Sequence, residues 1–153
     1  MCTGRGWCDL SIYNGITRVL EHEDISVKAF LAVGLGGLLG SVTRYKLGGL
    51  VLHHTVNWRF PLSTFLVNLL GCGLVGIFVG LAEQRHELSP TIRLFLITGF
   101  CGGFTTFSAF GFETVYLLRR NEAAWAFANI VFSVIVGIGA VWLGWKIVEL
   151  VSP

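Results

Sequence analysis

The sequence predicts an all-α membrane protein of four transmembrane helices, because its composition and the lengths of its apolar segments suit a lipid environment. The 153 residues are 54% hydrophobic and 13% charged, with a mean hydropathy of +0.72. A soluble domain carries about 25% charged residues, so most of this surface must face lipid. Buried helices of a soluble protein are a poor alternative, since no polar faces remain to meet water.

The four predicted spans follow one another through short polar links and form one transmembrane domain over residues 28–150. A helix needs roughly 20 apolar residues to cross the hydrocarbon core, and each segment is long enough. Ser89 and Pro90 are typical of a helix start. Residues 1–27 are mixed and polar, which predicts a disordered or interfacial N-terminal extension. The spans are placed at residues 28–53, 60–82, 91–118 and 123–148.

Several classes of function are disfavoured by the same composition. A net charge of +2 is too small to indicate a nucleic-acid partner. Cys72 and Cys101 lie inside apolar runs, so the four cysteines imply no disulfide framework. The polar residues near the links show no catalytic triad and no spacing typical of a zinc site, and we therefore expect no enzyme.

Polar side chains inside two spans are the first functional signal. Thr64 and Asn68 lie four residues apart on the second span, and Asn129 and Ser133 lie four apart on the fourth, so each pair shares a helix face. Hydrogen bonding between helices is the ordinary interpretation of any one of them. Two such stripes in a small membrane protein favour a polar path through it.

The third span contains a second signal, a glycine- and threonine-rich stretch at residues 99–110. Gly102 and Gly103, followed by Thr105 and Thr106, make a poor continuous helix. A break at mid-membrane would free backbone carbonyls, which must then be buried in protein or bind a cation. The residues alone leave open a kink in which hydroxyl side chains satisfy the backbone instead.

Two aromatic residues next to this stretch are the third signal. Phe107 and Phe110 flank Ser108, and the edge of an aromatic ring carries positive charge. Ring edges can therefore line an anion path without binding the ion as tightly as a lysine or arginine would. Conduction requires such weak binding, because the ion must be released again. Ordinary helix packing is the alternative for both rings.

With these features in place, the sequence resembles the Fluc (CrcB-type) fluoride channel family over nearly all of residues 28–150. The shared motifs are GGLLGSVTRY at residues 36–45, TFLVNLLG at 64–71 and GFCGGFTTFSAF at 99–110. The resemblance implies a fluoride-specific channel of the inner (plasma) membrane, built as an antiparallel, dual-topology homodimer with two pores. It further implies passive fluoride efflux that lowers intracellular toxicity, with fluoride, lipid and a second copy as partners and no nucleic acid.

The resemblance also implies roles for individual residues. Asn68, Phe107 and Phe110 match residues that border the fluoride path. The carbonyls of Gly102 and Thr105 match positions that hold a structural Na+ at the dimer centre, which is not transported. Further members of the polar path are Thr64, Thr106, Ser108 and Ser133.

Four other positions have less defined implications. Arg44 matches an arginine near the end of the family's first helix, and Glu113 matches a carboxylate just after the phenylalanine motif; we expect structural or vestibule roles for both. Ala109 and Asn129 depart from the family's usual pattern, which affects the edge of the polar path and leaves the other motif residues intact.

A small multidrug-type proton antiporter is the alternative, because it would also be a four-helix, dual-topology dimer. Such a transporter needs a carboxylate in its first membrane helix, and residues 29–52 contain no Asp or Glu. Orientation in the membrane follows Lys/Arg bias, and the predicted spans place six of these residues on one side and five on the other. Such an even division favours insertion in both orientations.

Overall fold

The computed structural model describes residues 27–84 and 88–151, so the predicted N-terminal extension lies outside the described residues except for Val27. The regular structure of this part of the chain is helical throughout. Four stretches are long and apolar enough to cross a membrane, the third of them being Pro90–Arg119. The prediction of a multi-pass membrane protein is confirmed. The helices are α1 (Val27–Thr55), α2 (Leu62–Gln84), α3 (residues 90–104), α4 (Phe107–Arg119) and α5 (Ala123–Val151).

The third span consists of α3 and α4, and the interruption between them confirms the predicted break. Thr105 (φ −82°, ψ 157°) and Thr106 (φ −147°, ψ 112°) are extended, a conformation that β-branched side chains favour. The break falls at these threonines and not at Gly102 and Gly103, which remain helical. Within α3, the first turn is α-helical, the middle is π-helical and the last turn is α-helical, over Pro90–Arg93, Leu94–Cys101 and Gly102–Phe104.

The ends of the third span have local causes that the sequence contains. Pro90 opens α3, and the Ser89 hydroxyl accepts a hydrogen bond from the Ile92 N–H at 3.4 Å, as expected for a helix start. After α4, Asn121 adopts φ 59°, a left-handed conformation that asparagine tolerates better than most residues. This turn leads the chain directly into α5.

Glycine lets α1 and α3 lie side by side with their backbones in contact. A Cβ atom at Gly36 would overlap the Phe95 carbonyl oxygen, and one at Gly40 would overlap the Phe100 carbonyl oxygen. Contacts therefore advance in the same direction along both helices, which makes them parallel. Glycines four residues apart in the first span (Gly36 and Gly40) and in the third (Gly99 and Gly103) thus pack helices within one chain.

The second parallel pair is formed by α2 and α5, which make the most extensive helix contact of the described chain. A Cβ at Gly76 would overlap the Val141 carbonyl, and one at Gly144 would overlap the Gly73 carbonyl. In contrast, α4 packs chiefly on α5 and only slightly on α2. The segment after the break is therefore the least enclosed part of the four spans.

Candidate functional site

The break in the third span is bracketed by one side chain, Asn68 of α2. Its Oδ1 accepts a hydrogen bond from the Thr106 N–H at 2.7 Å, and its Nδ2 donates to the Thr106 carbonyl at 3.0 Å. The amide thus replaces the helical partners that Thr106 gives up by being extended. One of the two hydrogens on Nδ2 remains for another acceptor.

Two side chains of α1 hold the neighbouring carbonyls. Arg44 Nη1 donates to the Thr105 carbonyl at 3.2 Å, and the Ser41 hydroxyl donates to the Gly103 carbonyl at 3.4 Å. Both groups extend from the helix that packs closely on α3. The break is therefore satisfied by polar side chains, as a buried interruption in a membrane requires.

Gly102 is in a different position from these carbonyls. In an unbroken helix its C=O would accept from the N–H of Thr106, and that N–H donates to Asn68 instead. Gly102 is also exposed on the outer surface of the single chain. The predicted cation ligands thus lie at the start of the last turn of α3 (Gly102) and directly after it (Thr105). The Gly102 carbonyl has lost its helical donor, and the Thr105 carbonyl accepts from Arg44.

The aromatic residues stand on the first turn of α4. The ring centroids of Phe107 and Phe110 are 5.4 Å apart and the rings are tilted by 43°. Phe107 is 82% exposed in the single chain, whereas Phe110 is half-buried. The hydroxyls of Thr106 and Ser108 lie 3.1 Å apart beside them. Two ring edges and two hydroxyls therefore converge where the broken helix restarts.

A cavity of about 300 Å³ opens next to the break. Arg44 contributes a positive charge to its wall, and Thr64 and Thr106 contribute hydroxyls. The guanidinium on this wall favours an anion over a cation in the cavity. Its lining residues are Arg44, Gly48, Ser63, Thr64, Val67, Thr106 and Ala109.

Thr64 connects this cavity to a carboxylate on α4. Its hydroxyl donates to Glu113 Oε1 at 2.6 Å. The second carboxylate oxygen, Oε2, is buried and has no hydrogen-bond partner among the residues that the structure describes. Glu113 is thus part of the polar contacts between α2 and α4, in keeping with the expected structural or vestibule position.

The polar stripe on α5 turns away from this cluster and meets α4 from the other side. Asn129, 1% exposed, donates from Nδ2 to Thr114 Oγ1 at 2.9 Å. Ser133 donates weakly to Asn129 Oδ1 at 3.4 Å, and Thr114 donates to the Phe110 carbonyl at 2.8 Å. Ser133 is therefore linked to the first turn of α4 only through the side chains of Asn129 and Thr114.

The predicted site residues fall into two groups in space. One cluster surrounds the break, and Ser133 belongs to the separate hydrogen-bond chain between α5 and α4. Thr114 and Ser41 were missed by the sequence reasoning. A hydroxyl four residues after Phe110 was a usable signal for Thr114. For Ser41, in the middle of the first span, the sequence offered no spacing that set it apart from the nearby Thr43. The cluster at the break contains Asn68, Thr64, Gly102, Thr105, Thr106, Phe107, Ser108 and Phe110.

Comparison with known proteins agrees with this geometry. A model of the family described as "CrcB-like protein, Camphor Resistance (CrcB)" matches residues 31–145. This chain belongs to the CrcB family. The match covers all four spans in part or in full and includes the break, the asparagine that brackets it and the two rings.

Relatives of known name share the same region with this CrcB-family chain. A "Fluoride-specific ion channel FluC" from Methylobacillus flagellatus is 49% identical over 120 residues, which cover 78% of this chain and 94% of the relative. Proteins of the same name from Flavobacterium psychrophilum and Pyrococcus horikoshii are 47% identical over 118 residues and 42% identical over 120 residues. They cover 77% and 78% of this chain, and 94% and 95% of their own lengths. These names describe an ion channel and not an enzyme.

Proposed function

We propose that this chain forms a fluoride-specific channel that lets fluoride leave the cell passively and so lowers its toxicity. The observation that carries the proposal is the cluster of donors at the broken third span, in a chain whose relatives bear the name of fluoride channels. The protein would act in the cell's inner (plasma) membrane. Flow down a gradient needs no nucleotide, in keeping with a chain that has no GxxxxGK[ST] phosphate-binding motif.

The chemistry of the cluster suits a small, strongly hydrated anion. Water lost by fluoride must be replaced by donors. The second N–H of Asn68 Nδ2 is available for this, and so is one hydroxyl hydrogen of the Thr106–Ser108 pair, since the other is shared between the two oxygens. The edges of Phe107 and Phe110 add weaker positive charge. Arg44, whose guanidinium already donates to the Thr105 carbonyl, supplies a positive charge at the cavity without standing between the rings.

A second copy of the chain is part of the proposal. Gly102 and Ser108 are exposed near the middle of the third span, where lipid offers no hydrogen-bond partner. Phe107 protrudes on the same segment with 82% of its surface exposed. An antiparallel partner would cover these groups, and the even division of Lys and Arg between the two sides supports insertion in both orientations.

A structural Na+ at the centre of that dimer also remains a proposal. Carbonyl oxygens are ligands that hard cations prefer, and the Gly102 carbonyl has lost its helical donor to Asn68. Thr105 uses one lone pair for Arg44 and keeps a second. Two carbonyls from each chain would supply four ligands, so the donor set fits the ion.

The alternative, a multidrug-type proton antiporter, gains no support from the family match. Its required carboxylate would stand on α1, and the sequence of Val27–Thr55 contains none. Glu83 and Glu149 lie near the ends of α2 and α5. Glu113, further inside its span, is on α4 and accepts a hydrogen bond from Thr64. A cation pathway would also be opposed by the positive charge of Arg44 at the cavity.

The deciding experiment is anion efflux from liposomes that contain the purified full-length protein. Fluoride should leave rapidly, as measured with a fluoride electrode, while chloride should remain inside in parallel samples. Protein-free liposomes set the background. Fluoride release at the background rate, or equal release of chloride, would overturn the proposed function.

A further inference from the structure

The hydrogen-bond chain from α5 to the aromatic turn of α4 supplies none of the donors proposed above for fluoride. It begins at Asn129 and reaches the Phe110 carbonyl through Thr114. Asn129 and Thr114 are 1% and 8% exposed, so neither lines an open path in this chain. Their position directly behind one of the two rings needs a separate explanation.

The directions of these hydrogen bonds are determined by chemistry. The Thr114 hydroxyl has one hydrogen, which it gives to the Phe110 carbonyl at 2.8 Å. Its lone pair then receives the Asn129 Nδ2 hydrogen at 2.9 Å, and Asn129 Oδ1 in turn accepts from Ser133. Each of the three side chains thus orients the next, and the chain ends on the backbone of a residue proposed to border the path.

The effect on α4 follows from the acceptor of the last hydrogen bond, which is the Phe110 carbonyl. In an α-helix the Phe110 carbonyl already accepts the Thr114 N–H, so the hydroxyl is a second donor to the same oxygen. Such back-bonding by serine or threonine often bends a helix at that turn. α4 packs chiefly on α5, and its first turn follows directly on the extended Thr105 and Thr106, so its direction depends on few contacts.

We propose that Asn129 is a positioning residue for Phe110, holding the first turn of α4 and hence the ring at the orientation that the fluoride path requires. The proposal rests on the proposed channel function. An apolar pair of the same shape would pack α4 on α5 equally well, since replacing both buried polar partners is often neutral for stability. A hydrogen-bonded pair adds what packing lacks, a defined direction for the Phe110 carbonyl.

The test uses full-length protein with 4-fluorophenylalanine at position 110 and, in a second sample, at position 112. Phe112 lies on the same helix and is 71% exposed, so it reports general changes in α4. Asn129→Leu and Thr114→Val should shift or broaden the 19F NMR signal at position 110 and leave that at position 112 unchanged. Thr114→Ser, which keeps the hydroxyl, should preserve both signals.

Fluoride efflux supplies the second readout. Asn129→Leu and Thr114→Val should each lower the rate roughly tenfold, and Thr114→Ser should keep it. In the double variant Asn129→Leu/Thr114→Val, the unfolding temperature should recover, because no buried polar group is left unpaired, while efflux stays low. Thr43→Val is the matched control: Thr43 makes the same back-bond, to the Leu39 carbonyl at 2.8 Å, at an exposed position of α1.

Two results would overturn the proposal. An unchanged 19F signal at position 110 in Asn129→Leu would show that the chain does not orient the ring, and recovery of efflux together with stability in the double variant would make Asn129 a packing residue. If wild-type protein releases no fluoride, the channel function fails instead. In that case the NMR measurement still shows whether Asn129 and Thr114 orient the Phe110 ring, because it does not depend on transport.

Discussion

The two halves of the third span are held in opposite ways. α3 lies against α1 with backbone touching backbone, and added Cβ atoms at Gly99 or Gly103 would run into α1 carbonyls. The segment beyond the break is held by side-chain hydrogen bonds: Asn68 makes two to Thr106, directly before α4. Thr64 and Asn129 each make one to α4 itself, which carries the exposed Phe107. Close backbone packing suits a fixed scaffold, whereas polar tethers place donors and ring edges where an ion can meet them.

The largest effect is expected from breaking the scaffold at Gly40. A Cβ there would overlap the Phe100 carbonyl oxygen, and a backbone atom cannot move aside as a flexible side chain can. Gly40→Ala should cost about 3 kcal/mol or more in stability and prevent recovery of folded protein, as judged by gel filtration and thermal unfolding in detergent. Gly34→Ala on the same helix has no atom within 4 Å of the new Cβ and is the control. Equal stability of both variants would refute the close packing of α1 and α3.

The open face of α4 can be tested through the orientation of the chain. Three lysines added to the link at residues 83–90, or instead to the link at 119–122, should lock the protein in opposite orientations. Each variant alone should then conduct poorly, and both expressed together should restore efflux. Full activity of either variant alone would contradict the antiparallel dimer.

The joint between the two halves depends on Asn68. Asn68→Asp removes the donor to the Thr106 carbonyl and places a carboxylate against an acceptor. We expect fluoride efflux to fall to background and stability to drop by roughly 1–3 kcal/mol. Asn57→Asp, at an exposed position of the first link, should behave as wild type. If Asn68→Asp still releases fluoride at the wild-type rate, Asn68 does not border the fluoride path.

The rings of α4 should affect transport more than folding. Phe110→Ile and Phe107→Ile keep apolar bulk and remove the ring edge with its partial positive charge. Efflux should fall at least roughly tenfold in Phe110→Ile and somewhat less in Phe107→Ile, with dimers still recovered by gel filtration. Phe132→Ile, on an exposed face of α5, is the control. Wild-type efflux in both variants would show that the rings only pack the helices and do not border the fluoride path.

How far the sequence predicts this arrangement depends on the range of the interaction. The spans follow from composition, because lipid demands long uncharged helices. The break follows from local propensity, although its position does not. Gly102 and Gly103 stay helical, Gly103 in close contact with the α1 backbone at Gly37, and the interruption falls at Thr105 and Thr106. Pairing between distant residues has no local signal.

Asn68 illustrates that limit. Its place on a polar helix face and its match to a family motif predicted a donor on the path, whereas its bidentate bracket on Thr106 joins residues 38 positions apart. Asn129 and Thr114 are 15 positions apart on facing helices. The sequence placed Asn129 on a polar face with Ser133 and showed that it departs from the family pattern, without indicating Thr114 as its partner. Partner choice of this kind depends on the packed helices, which bring the side chains together.

The smallest effect is expected from a hydrogen bond within the other backbone-packed pair, α2 and α5. Trp145 Nε1 donates to Glu83 Oε2 at 2.8 Å near one end of these helices, and the indole also covers Gly80. Trp145→Phe keeps an aromatic ring over the glycine and removes the donor, so stability should fall by about 1–2 kcal/mol. If α2 and α5 act as scaffold in the way α3 does, fluoride efflux should stay within about twofold of wild type, while the unfolding midpoint drops. A large loss of efflux from a protein that is still folded would mean that this end of the pair is coupled to the path, and the division between scaffold and tethered segment would then not hold for the molecule as a whole.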